Sequence, residues 1–200
     1  MTGEHELQSM ESEVTAIAQS AHHFLFAAIP VESWNDALSP WEAPAVWGTQ
    51  GFGGNAMDTL RFLIEQVIPT LKRQFHLPEN VKIILGGYSL AGLFALYALY
   101  QTDVFARAAS MSGSFWFEGI MEYVCSHEMK RKPDCLYFSL GDKESSTDNP
   151  ILNVVQQNTQ EIETLCHGKG IETTFVLNSG SHYQACNKRT AAGIHWILNR

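Results

Sequence analysis

Residues Val81 to Leu99 read VKIILGGYSLAGLFALYAL: an apolar run, two glycines, a serine among small residues, and a second apolar run. The first run, Lys82 to Leu85, has the length of a strand, and the second, Leu90 to Tyr100, the length of a helix. A strand that turns at once into a helix is the repeating step of a parallel sheet with helical crossovers.

The rest of the chain repeats that step. Leu7 to Ser20 reads as a helix, and HFLFAAIPV, His23 to Val31, as a strand buried on both faces. From Met57 the apolar positions Leu60, Leu63, Ile64, Val67, Ile68, Leu71 and Phe75 recur at helical spacing, with a kink expected at Pro69. Ala106 to Met111, Cys135 to Leu140 and Thr173 to Leu177 read as strands. A helix from Pro150 to Gly168, capped by Asp148 or Asn149, and a closing amphipathic helix from Arg189 to Leu198 complete the order. The expected fold is α/β: a three-layer sandwich with a mainly parallel sheet of about five strands and helices on both faces. Sites in such sheets gather at the carboxyl ends of the strands.

With 200 residues, 45% of them apolar, and no low-complexity linker, one domain covering 1–200 is expected. The stretch from about 117 to 133 is long enough for a small lid, with Met121, Tyr123 and Met129 as contacts. A net charge of -8, with 13 Lys and Arg that form no stripe, argues against a nucleic-acid footprint. No run of 18 apolar residues suggests a membrane span, and the acidic start MTGEHELQSMESE is unlike a signal peptide, so a cytoplasmic protein is expected. Cys125, Cys135, Cys166 and Cys186 lack the spacing of a zinc or redox pair and read as free thiols. Neither a phosphate loop nor a metal-ligand cluster is present, so no cofactor is expected.

Ser89 lies in Gly87-Tyr88-Ser89-Leu90-Ala91, at the strand-to-helix turn that the G-x-S-x-G nucleophile elbow requires, with Ala91 in the last small position and Gly92 behind it. The turn aims the Leu90 amide at the place where an oxyanion would form. A serine hydroxyl needs a base, and of eight histidines His182, in the loop LNSGSHYQ after the last strand, fits best. The base needs an orienting acid. Asp142, Glu144 and, slightly further on, Asp148 all follow the strand CLYFSL. The order serine, acid, histidine is that of α/β-hydrolase triads.

GGYSLAGLFALYAL, MSGSFWF at Met111 to Phe117, LGDKE and GSHY together resemble the Putative esterase family of α/β-hydrolases, which includes the enterochelin (siderophore) esterases and esterase-D-like proteins. The resemblance runs over most of the chain. It implies a glutamate three residues after the glycine that ends the strand, which selects Glu144 after Gly141 and leaves Asp142 as the alternative. It also implies a second oxyanion donor from the loop before the first helix. Here that loop falls on Thr2-Gly3-Glu4-His5, so the amides of Gly3 and Glu4 are the candidates, although the strand expected ahead of them is missing. The small-molecule ester substrate would meet Trp34, Trp41, Phe115 and Trp116, on segments beside the carboxyl ends of the strands. The reading is thus a serine ester hydrolase. An acyltransferase with the same triad and a truncated binding domain without catalysis are the alternatives.

Overall fold

The computed structural model describes residues 2–3, 11–18 and 23–200. Its centre is a parallel sheet in the order β5 (Ile83–Tyr88), β6 (Phe105–Met111), β7 (Cys135–Gly141) and β8 (Glu172–Asn178). Because each strand is laid beside the one before it, right-handed crossovers put the connecting helices on one face. Helix α5 (Leu90–Gln101) packs there on β5 and β6, and α7 (Val155–Gly168) on β7 and β8. The chain then turns back, and α8 (Cys186–Leu198) covers the other face, with α1 (Glu11–Ala18) packed against α8. The expected three layers are therefore present.

Side-chain alternation along the strands divides the interior accordingly. Leu136 and Phe138 of β7 join the cluster under α5 and α7, while Cys135 and Tyr137 join Ala109, Met111 and Ile197 under α8. Helix α5 is buried from Leu90 to Tyr100, which explains why it carries no polar face.

The segment from His23 to Val31 departs from the expected buried strand. Burial alternates along it, Leu25 is 40% exposed, and only β2 (Pro30–Val31) is paired, in parallel with β1 (Thr2–Gly3). A strand is defined by its ladder, and among the described residues the segment pairs only through Pro30 and Val31. Among the described residues the main sheet has four strands. Helix α2 (Trp34–Leu38) and an antiparallel pair, β3 (Glu42–Ala43) and β4 (Phe52–Gly53), follow as a cap beside α5.

The kink expected at Pro69 takes a different form. Between α3 (Ala56–Phe62) and α4 (Ile68–Gln74) the chain widens into a π turn, Leu63–Val67, closed by the Ile68 amide on the Leu63 carbonyl. Proline has no N–H to continue the α ladder, and the wider turn absorbs that loss one turn upstream. Residues 150–154 are turns that begin with the Asn149 side chain accepting the Ile151 amide at 2.9 Å, so α7 starts at Val155 rather than Pro150. In the 117–133 stretch, helix α6 (Ile120–Ser126) buries Ile120 and Val124 in the core, and Met121, Tyr123 and Met129 pack against it. All four cysteines are free.

Candidate active site

Ser89 follows β5 directly and opens α5, with φ 58° and ψ -123°. A non-glycine residue in this region costs roughly 1–3 kcal/mol and persists only where its surroundings hold it. Here the Ser89 amide donates to the Met111 carbonyl at 3.0 Å, and the Ser89 carbonyl accepts from the amides of Gly92, Leu93 and Ser114 at 2.9, 3.2 and 3.1 Å. Small neighbours are a packing necessity. A Cβ on Gly87 would lie 2.5 Å from Ala91 backbone atoms, and one on Gly92 would lie 2.7 Å from Ser110 Oγ. The Leu90 amide is the first N–H of α5 and has no intrahelical acceptor.

The ends of the other strands bring the remaining groups. Asp142 N bonds the Asn178 carbonyl at 2.7 Å just beyond β7 and β8, which sets the two loops side by side. Ser89 Oγ–H donates to His182 Nε2 at 3.0 Å, and His182 Nδ1–H donates to Glu144 Oε2 at 2.7 Å. Ser89, Glu144 and His182, far apart in the chain, are therefore linked in a row through the imidazole. Asp142 is used otherwise. Its Oδ1 accepts the Gly180 amide at 2.8 Å and shapes the turn that carries His182.

The second carboxylate oxygen of Glu144 is fully engaged. Oε1 accepts from the Gly141 amide at 2.6 Å, Ser112 Oγ at 2.7 Å and Arg189 Nη1 at 3.0 Å. Burial alone would raise this carboxyl, but the hydrogen bond and charge of His182, then the Gly141 amide and the Ser112 hydroxyl, outweigh it and hold Glu144 below the usual glutamate range. Ser112 reaches the acid through a backbone at φ 47°. Tyr88 OH donates to the His182 carbonyl at 2.6 Å, and burial pushes its phenol up, so it remains a neutral donor.

Four residues of this arrangement escaped the sequence reading. Ser112 and Ser114 sit inside the segment singled out as Ser-Gly-Ser-Phe-Trp, and Ser114 Oγ lies 3.4 Å from Ser89 Oγ. Tyr88 is the variable residue of the elbow motif. Arg189 read only as the first residue of the closing helix, and its side chain is 2% exposed. A buried cation implies a buried anion, but its partner lies 45 positions away, beyond the reach of local patterns.

The other expected residues are distributed around this centre. Phe115 has no exposed surface and packs on Phe138, so it supports the site from beneath and cannot line an open pocket. Trp41 donates Nε1–H to the Glu118 carbonyl at 2.9 Å and packs on Phe117 and Tyr123. Trp34 is half-buried against the core, and Trp116 stacks edge-on with the exposed Trp47. Gly3 lies in β1 beside Val31, and Glu4 lies outside the described residues. No helix among the described residues is long and apolar enough to cross a membrane.

Comparison with known proteins bears on the family and the fold. The Esterase family model, described as Putative esterase, matches residues 9–188. Uncharacterized protein YbbA of Bacillus subtilis (strain 168) is 22% identical over 192 residues, covering 91% of this chain and 76% of that one. Among solved structures, the siderophore hydrolase EstA from Aspergillus nidulans aligns with a TM-score of 0.67 at 21% identity, over 83% of this chain and 66% of that one. An IroE-like serine hydrolase from Shewanella oneidensis aligns with a TM-score of 0.73 at 15% identity, over 95% of this chain and 66% of that one. This chain thus spans just under two thirds of the length of those two structures. The BES protein from Bacillus cereus aligns with a TM-score of 0.65 at 16% identity, over 95% of this chain and 79% of that one. At such identities the structural likeness speaks for the α/β fold.

Proposed function

The chain belongs to the Putative esterase family, and within it we propose that this protein hydrolyses small carboxylic esters through an acyl-enzyme on Ser89. The observation that carries the reading is the unbroken contact from Ser89 Oγ to His182 Nε2 at 3.0 Å and from His182 Nδ1 to Glu144 Oε2 at 2.7 Å. In the first step Ser89 Oγ bonds to the ester carbonyl carbon while its proton passes to His182 Nε2. The carbonyl oxygen becomes an oxyanion facing the Leu90 amide, and Gly3 and Glu4 remain the candidates for a second donor. Collapse of the tetrahedral intermediate breaks the bond to the leaving alkoxide, which takes the proton back from His182. Water then attacks the acyl-Ser89 carbonyl with the imidazole again as base, releasing the acid and restoring the hydroxyl.

Glu144 is the orienting acid. Because an ionised carboxylate can only accept, it keeps the imidazole proton on Nδ1 and leaves Nε2 free to receive the serine proton. Trp34, Trp41 and Trp116 are the candidates for contact with the substrate.

Hydrolysis of short-chain p-nitrophenyl esters, paired with mass spectrometry after fluorophosphonate treatment, tests this reading. Wild type is expected to turn over and to gain one adduct on Ser89, and Ser89→Ala to do neither. Folded wild type that takes no adduct and releases no p-nitrophenol would refute it.

A further inference from the structure

We infer that Arg189 is a positioning residue of this site, acting on His182 through Glu144; the inference rests on the serine-hydrolase reading above. The guanidinium is the hub of a buried network that the chemistry itself does not touch. Nη1 donates to Glu144 Oε1 at 3.0 Å, and lies 3.2 Å from Tyr88 OH and 3.3 Å from Ser112 Oγ. Nη2 donates to the Ser179 carbonyl at 3.1 Å, three residues before the histidine. One planar side chain on α8 therefore holds both the acid beyond β7 and the loop beyond β8. A lysine gathers its three N–H donors on one nitrogen and lacks the planar fork that spans the two loops.

Two consequences follow for His182. With Oε1 occupied by three donors, only Oε2 is left to face the imidazole, so the carboxylate cannot rotate away from Nδ1. The guanidinium charge also offsets part of the carboxylate's field at the imidazole. The groups around that imidazole are few. Glu144 faces Nδ1, and Arg189 stands behind it at a side-chain exposure of 2%. Tyr88 and Cys186 approach its carbonyl at 2.6 and 3.5 Å, and the Tyr183 ring stands edge-on to its own. Asp142 is turned to the Gly180 amide.

The test uses Arg189→Met and Arg189→Lys in the full chain, with active sites counted by fluorophosphonate titration and kcat, KM and the pH profile of kcat/KM measured on a p-nitrophenyl ester. Misplacement of a reacting group by about 1 Å costs roughly 100-fold. In Arg189→Met, kcat per titrated site is expected to fall by about that factor with KM little changed, and the acid limb of kcat/KM to move to higher pH. In Arg189→Lys, the retained charge should leave the acid limb in place and restore part of kcat. Wild-type kcat per site in either variant would overturn the inference. So would a fall in kcat with the acid limb unmoved in the methionine variant and no recovery in the lysine variant, since both would then report mere structural damage. If Arg189→Met does not fold, the neutral, planar Arg189→Gln takes its place and is judged by the same criteria. Wild type that ignores the fluorophosphonate would instead sink the serine-hydrolase reading and this inference with it.

Discussion

Replacing Glu144 by glutamine changes one atom and two properties of the site. One amide oxygen can still accept from Gly141, Ser112 and Arg189, which crowd Oε1 at 2.6, 2.7 and 3.0 Å. The amide NH2 then faces His182 Nδ1 where Oε2 stood at 2.7 Å. A donor there requires Nδ1 to be the acceptor, which moves the ring proton to Nε2 and removes the base from Ser89. The equivalent change in the serine proteases lowers kcat by about 10⁴, or roughly 5.5 kcal/mol of transition-state stabilisation at about 1.36 kcal/mol per tenfold. Stability falls separately, because Arg189, at 2% exposure, loses its counter-charge. Breaking a buried pair costs about 3–5 kcal/mol, and the surviving amide oxygen places the expected loss near the lower figure. With a urea slope of about 2–3 kcal/mol/M, the unfolding midpoint should drop by roughly 1 to 1.5 M. Ester hydrolysis per folded molecule gives the first number, and urea unfolding followed by circular dichroism gives the second. Asp142→Asn is the control: it touches Gly180 rather than the imidazole, so kcat should stay close to wild type. Glu144→Gln with kcat within tenfold of wild type, or Asp142→Asn with an equal loss, would refute the assignment of the acid.

Other measurements probe different parts of the molecule. Gly87→Val should abolish soluble, active protein, because even its Cβ would press on Ala91 backbone atoms at 2.5 Å; recovery of wild-type activity in lysate would contradict the packing account of the elbow. Asp134 is held below the usual aspartate range by its hydrogen bond to Lys82, and Glu144 is likewise depressed. Both therefore contribute stability that is complete above their unfolded-state pKa values of about 4 and is lost as pH falls through the lower folded values, so Asp134→Asn should flatten the acid arm of a melting-temperature curve. Burial pushes the Cys166 thiol up to about 12, whereas Cys125 is exposed, so iodoacetamide should label Cys125 in the native protein and spare Cys166 until it unfolds.

The legible parts of the chain were those whose cause is local. The elbow shows in sequence because small residues, a strand and a helix must adjoin within a few positions, and Glu144 shows because the resemblance fixes its distance from Gly141. Pro69 signalled a disturbance but not its form, since an α kink and a π turn satisfy the same missing N–H. HFLFAAIPV has the apolar content of a strand buried on both faces, but burial alternates along it and pairing, which needs a distant partner, is confined among the described residues to Pro30 and Val31. Arg189 and Tyr88 were unreadable for a related reason: each acts on groups that only the register of β5 to β8 brings near.

That register also divides labour between the two rims of the sheet. Ser89, Ser112, Glu144 and His182 each follow a successive strand at its carboxyl rim, whereas the turn at Pro78 to Asn80 enters β5 from the opposite rim and is exposed. Chain added there would extend away from the serine and leave its strand ladder untouched. A fluorescent reporter or an affinity handle spliced between Glu79 and Asn80 should thus ride on a working enzyme, and the amino-terminal rim becomes the face by which this protein can be tethered, displayed or fused.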